Sequence, residues 1–214
     1  MKISALIGYA AALITSTAMA ASHPALLTHK QAHRFVSAPP AGSKTLYDQN
    51  KDPSGTAVLS DNFDGGSDNP QAADDFAVPQ GRTWLIKEVD VTGVYFNGSG
   101  PANSENVFFY KDKGGLPGAL VTECDNQNGT GNGTGSFAIV LSKTCKVKLR
   151  GGKTYWVSVQ ANMDLNGGGE WGWELSLDTN GNQAAWQDPG GGDCPIWCHL
   201  DGDLMFALKG KDKS

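Results

Sequence analysis

Aspartate is the most conspicuous chemical resource in this sequence, with 17 of the 22 acidic residues. The aspartates gather in short runs: Asp61, Asp64 and Asp68; Asp74 and Asp75; Asp164 beside Asn166; Asp201 and Asp203 around Gly202. Hard cations take several oxygens from short side chains and loop carbonyls, so a structural calcium ion is the ligand these runs fit, with Asp74, Asp75, Asp201 and Asp203 as its candidate carriers. No run completes a twelve-residue EF-hand loop, and Asp and Asn also enter loops as turn formers. Nucleophilic catalysis finds less support. It needs a base beside a serine or cysteine, and after residue 45 the only histidine is His199, next to Cys198. Glu170 and Glu174 are the candidate pair for glycan hydrolysis. Along one strand their backbones stand about 13 Å apart, beyond the roughly 5–10 Å that reaction uses.

The cysteines are Cys124, Cys145, Cys194 and Cys198. Their spacing lacks the paired short intervals of a zinc ribbon. An even number in an oxidising compartment points to two disulfides, and proximity favours Cys124–Cys145 and Cys194–Cys198 among the three pairings.

The elements that would carry these residues are strands. From Thr45 onward the apolar period is two. The pattern predicts strands over 82–96, with a bulge near Gly93, and over 105–112, 119–124, 136–142, 145–150, 154–161, 170–177 and 203–210. No stretch keeps a helical period, and the 28 glycines supply many turns. Short strands joined by Gly/Asn/Asp loops predict an all-β, antiparallel, jelly-roll-like β-sandwich over residues 45–210, with a tail at 211–214.

Alternation also sorts the six tryptophans. Trp171 and Trp173 share a strand face with Leu175 and Leu177, the pattern of a core stripe. Tyr155, Val157 and Val159 face inward by the same test, which leaves Trp156 on the opposite face. Trp186 (in NQAAWQDPGGG) and Trp197 (in CPIWC) belong to no stripe. Trp156, Trp186 and Trp197 are therefore the candidate rings for stacking on a flat ligand; plugging the end of the sandwich under its loops is the competing role for Trp186 and Trp197.

The first twenty residues read as an export leader. Lys2 precedes an apolar stretch from Ile3 to Ile14, and Ala18-Met19-Ala20 has the small-x-small form of a cleavage site. The apolar run is shorter than the roughly 20 residues a membrane span needs. Residues 21–44, with Pro24, Pro39 and Pro40, read as a flexible spacer on which His23, His29 and His33 are incidental. A net charge of −5 argues against a nucleic-acid partner. The expected product is a secreted or periplasmic domain without a membrane span.

Five ordered segments carry a resemblance: LYDQN (46–50), QAADDFAVPQGRTWLIKEVDVTGVYF (71–96), VFFYKDKGGLPGALV (107–121), TYWVSVQAN (154–162) and WGWELSLDTNGNQAAWQDPGGG (171–192). Together, and most specifically in A-D-D-F-x-V-P followed by a Trp-bearing strand, they resemble jelly-roll domains of exported bacterial proteins. The resemblance implies a secreted β-sandwich and brings no catalytic residue with it. Glu88 and Asp90 faintly resemble the E-x-D-x-x-E of family 16 β-glucanases, but Gly93 stands where the last glutamate belongs. The sequence thus points to a non-catalytic binding or adhesion module for a cell-surface polymer. A carbohydrate-binding module is the more specific alternative, and a divergent glycan hydrolase the next.

Overall fold

A computed structural model describes residues 26–30, 32, 34–63, 69–131, 133–164, 167–191 and 194–214. The expected leader, His23, His33, Asp64 and Asp68 lie outside the described residues. In chain order the strands are β1 (Leu26–Thr28), β2 (Lys44–Asp48), β3 (Pro53–Leu59), β4 (Asp61–Phe63), β5 (Gln71–Val78) and β6 (Thr83–Val91). They continue with β7 (Gly93–Phe96), β8 (Ser104–Asp112), β9 (Pro117–Gln127), β10 (Gly129–Gly131), β11 (Phe137–Val140) and β12 (Val147–Arg150). The last six are β13 (Lys153–Met163), β14 (Glu170–Ser176), β15 (Ala185–Gln187), β16 (Cys198–His199), β17 (Asp203–Leu204) and β18 (Phe206–Lys213).

The fold is all-β, an antiparallel jelly-roll-like sandwich. One layer is a seven-stranded sheet, β16-β15-β5-β13-β8-β9, with β4 added parallel to the end of β13. The opposite layer has two parts. One is built on β10-β11-β6-β18-β2 with β12 also on β6; the other on β1-β3-β14-β17 with β7 on β14. Backbone bonds join these parts where Thr92 N donates to Met205 O, Glu174 N to Thr92 O and Met205 N to Glu174 O.

Strand alternation fills the space between the layers. Phe76, Phe109, Tyr155, Val157 and Val159 come from the seven-stranded sheet; Trp84, Ile86, Val89, Trp171, Trp173, Phe206 and Leu208 come from the other layer. Phe76 stacks on Trp84 with centroids 6.1 Å apart and meets Phe206 edge-on. Trp171 and Trp173 are fully buried, as their shared stripe predicts, and neither indole N–H is wasted: Trp171 Nε1 donates to Gly135 O at 2.6 Å and Trp173 Nε1 to Met205 O at 2.8 Å. Gly93 is required by this packing, because a Cβ there would lie 2.5 Å from the Trp171 indole nitrogen. In β12, Val147 and Leu149 are buried and Lys148 and Arg150 exposed, in step with the expected alternation.

Both disulfides form in the favoured pairing, Cys124–Cys145 and Cys194–Cys198. Three expectations fail. The long strand over 82–96 is divided at Thr92, and its irregularity lies at Lys87, where the register with β18 slips from Lys209↔Glu88 to Gly210↔Ile86. That extra residue returns Val89 and Val91 to the core side and sends Glu88 and Asp90 to the outer face. Leu177 does not share the tryptophan stripe: β14 ends at Ser176 after a register shift, and Leu177 is exposed. The spacer and tail are not loose where they are described. Leu26–Thr28 pairs with β3, His29 N donates to Gly55 O, and Lys211–Lys213 continues β18 along β6.

Candidate binding face

The outer face of the seven-stranded sheet carries the side chains that point away from the core. β13 contributes Trp156, Ser158, Gln160 and Asn162, which alternate with Tyr155, Val157, Val159 and Ala161. β8 contributes Asn106, Phe108 and Tyr110, which alternate with the buried Val107 and Phe109. β5 adds Gln71, Ala73 and Asp75, and β15 adds Gln187.

Aromatic rings and amides divide this face. Phe108 and Tyr110 lie side by side, centroids 6.2 Å apart and 19° from parallel. Trp197 meets Tyr110 edge-on at 5.8 Å, in the mostly edge-to-face manner that the ring quadrupoles favour. All three rings are half-buried, and the exposed Leu120 and Ile196 extend the apolar strip at either side. Leu120 is the register partner of Tyr110, and the Cys194–Cys198 disulfide holds the loop bearing Ile196 and Trp197.

Beside the rings runs a ladder of amides. Gln187 Nε2 donates to Gln71 Oε1 at 2.7 Å, and Gln71 Nε2 to the Tyr110 hydroxyl at 3.0 Å. Burial is the main reason the Tyr110 hydroxyl is pushed up to about 12, so it remains an O–H donor at neutral pH. Toward the other end, Asn162 Nδ2 donates to Ser104 Oγ and Asn106 Oδ1, and Asn62 Nδ2 to Asn162 Oδ1. The arrangement offers flat apolar surface and neutral donors and acceptors, with no concentrated charge.

Two of the three tryptophans expected to stack on a ligand are not available for it. Trp156 points to the outer face as alternation requires, yet it is completely buried with Ala73 and Ala185 beneath Tyr110, Leu116 and Trp197, and its Nε1 donates to Asp112. Trp186 belongs to the main core, where Nε1 donates to Leu59 O at 2.9 Å. Trp197 alone of the three is partly exposed. Tyr110 and Phe108 are the other half-exposed rings on this face. The signal for them was present: in VFFYKD, placing Phe109 in the core puts its two neighbours on the other face.

The four aspartates proposed for calcium do not converge as one ligand set. Asp74 and Asp75 are consecutive in β5 and so point to opposite faces. Asp74 is sealed, accepting from Gln49 Nε2, Leu204 N and Asp75 N. Asp75 accepts from Asn182 through both oxygens. Asp203 accepts from Asn180 N, and the exposed Asp201 from Gln183. Burial, followed by the charge of Asp203, holds the Asp74 carboxyl well above the usual range. No group of three or more His, Cys, Asp or Glu side chains that could hold a metal occurs among the described residues.

Glu170 and Glu174 do not make a hydrolytic pair either. Glu174 is fully buried and accepts from Gly55 N at 2.7 Å and His29 Nε2 at 2.5 Å. Glu170 accepts from Asn97 Nδ2. His29, expected to be incidental, thus supplies a hydrogen-bond partner to the buried Glu174. No helix among the described residues is long and apolar enough to cross a membrane. No protein-family model matches the chain, and no curated protein does.

Proposed function

We propose that this protein is an exported, non-catalytic binding module that holds a polysaccharide or similar surface polymer against the outer face of its seven-stranded sheet. The observation that carries this reading is the strip of Phe108, Tyr110 and Trp197 bordered by Gln71, Gln187 and the Asn106–Asn162 ladder. A sugar ring has an apolar C–H face and a rim of hydroxyls. Aromatic faces supply the first contact and neutral amides the second. Export fits the two disulfides and the leader-like start of the sequence. In this reading Trp197 and Tyr110 are the principal stacking rings, and the amides orient the hydroxyls.

Co-sedimentation with insoluble chitin, cellulose and xylan tests it. The wild-type protein is expected to be depleted by at least one polymer, and Trp197→Ala to remain in solution while keeping a native circular dichroism spectrum. Wild-type protein left in solution by every polymer would remove the reading.

A further inference from the structure

Among the described residues Lys209 is the largest charged side chain sealed from solvent, with no exposed surface. Its Nζ donates to Ser37 O at 2.7 Å, Ser37 Oγ at 2.6 Å, Glu88 Oε1 at 2.8 Å and Asp90 Oδ2. Glu88 and Asp90 are themselves buried, and Ser37 closes the site from outside: its hydroxyl donates to Glu88 and its N–H to Asp90 at 3.1 Å. Backbone geometry makes this meeting obligatory. The Lys87 irregularity turns Glu88 and Asp90 outward on β6, and a second register shift, on the β2 side, falls at Leu208/Lys209. Gly210 follows because a Cβ there would lie 2.0 Å from Leu85 O.

A buried ammonium facing two carboxyls is costly to keep charged, since water no longer solvates any of the three. One ammonium balances one carboxylate, so the neutral form of the trio carries a proton on the second carboxyl. Burial raises the Asp90 carboxyl to about 6 even with Lys209 beside it, so its acid form lies within reach of mildly acidic conditions and supplies the electrophile. An amine, a carboxylic acid and a carboxylate held in contact are the reactants and the proton carrier for amide formation.

We infer that Lys209 and Asp90 condense to an intramolecular isopeptide bond, with Glu88 as the proton carrier. The Lys209 ammonium gives a proton to the Glu88 carboxylate. The freed Nζ lone pair attacks Cγ of the protonated Asp90 carboxyl, forming the C–N bond. The C–OH bond then breaks as Glu88 donates to the departing hydroxyl, and the proton lost from nitrogen returns to Glu88. The products are one amide, one water and a neutral Glu88 carboxylic acid, so no charge remains in the site. Holding the partners together replaces a bimolecular step, for which effective molarities reach about 10⁵–10⁸ M in well-oriented systems. The bond would clamp β18, the last strand, to the central β6.

Mass spectrometry of the reduced, alkylated protein tests this directly. The intact mass is expected to fall one water below the sequence mass of the processed chain. Tandem fragmentation should place the loss on a branched peptide joining Lys209 to Asp90. Glu88→Gln should keep a native circular dichroism spectrum and recover the full mass. Full mass in the wild type, or a branch at any other pair, would overturn the inference; water loss persisting in Glu88→Gln would overturn the role of Glu88. Neither carboxylate lies on the aromatic face, so polymer binding is expected in both forms, and its absence would count against the binding module alone.

Discussion

The two outer faces of this sandwich are made from the same alternation and finished in opposite ways. The face formed by β6, β18 and β14 is covered by the segment before β2, which seals Glu88, Asp90 and Lys209 under Ser37 and Glu174 under His29. The face of β5, β13 and β8 has its aromatics half-exposed, with amides rather than charges around them. Charge is tolerated on the first face because a strap supplies partners for it; on the second, Leu116 and the short disulfide-closed loop cover Trp156 and leave Tyr110 and Trp197 partly exposed. Covering a sheet face removes it from ligand binding and turns its polar side chains into structure. Leaving a face open with rings and amides keeps it for recognition.

The largest effect expected from breaking this contrast is on the covered face. Lys209→Ala leaves Glu88 and Asp90 buried without the amine that answers them, and without the amide that amine would form with Asp90; denaturant melts should show a loss of about 3–5 kcal/mol.

The next is a dependence on pH. Asp61, whose Oδ2 is buried without a partner, is raised by burial to about 8; burial likewise raises Glu105 to about 7 and Asp75 to about 6. The folded state therefore holds protons that the unfolded chain releases near pH 4, so this stabilisation is complete below about pH 4 and is lost as pH climbs to about 8. Melting temperatures should decline across that window, and Asp61→Asn should flatten the upper part of the decline.

The disulfides sharpen the comparison further. Chain-entropy arguments give the Cys124–Cys145 bridge, separated by 21 residues, about 3 kcal/mol, and Cys194–Cys198, separated by 4, about 2 kcal/mol. Replacing the second pair by serine should cost the smaller amount of stability yet abolish polymer retention, because it frees the loop that presents Trp197. The smallest effect on stability belongs to Tyr110→Phe, which removes only the hydroxyl shared with Gln71. It should leave the melting temperature nearly unchanged and weaken binding several-fold, by about 1 kcal/mol.

Much of the sandwich was legible because strands announce themselves by period two. Trp171 and Trp173, Tyr155 through Val159, and the Val147/Leu149 stripe all sit where parity puts them. Parity does not report what lies on top. Trp156 is on the predicted face but buried, because the loop ending in CPIWC folds over it. Nor does parity survive an inserted residue: Lys87 shifts the pattern mid-strand and takes Glu88 and Asp90 off the face of Trp84 and Ile86, while the segment that covers them lies far away in sequence. The segment over 34–38 was illegible for another reason. It docks through backbone groups and single polar contacts, such as Phe35 N to Thr92 Oγ1 and Asn50 Nδ2 to Phe35 O, which leave no apolar period to read.

Iodide quenching of native tryptophan fluorescence, with and without bound polymer, tests the open face most directly. Of the six indoles only Trp197 is not buried. A single quenchable emitter in the wild type, protected when a retained polysaccharide is added, is the predicted result. Quenching that stays the same at saturating polymer would mean that the ligand lies elsewhere and that this face is not its site.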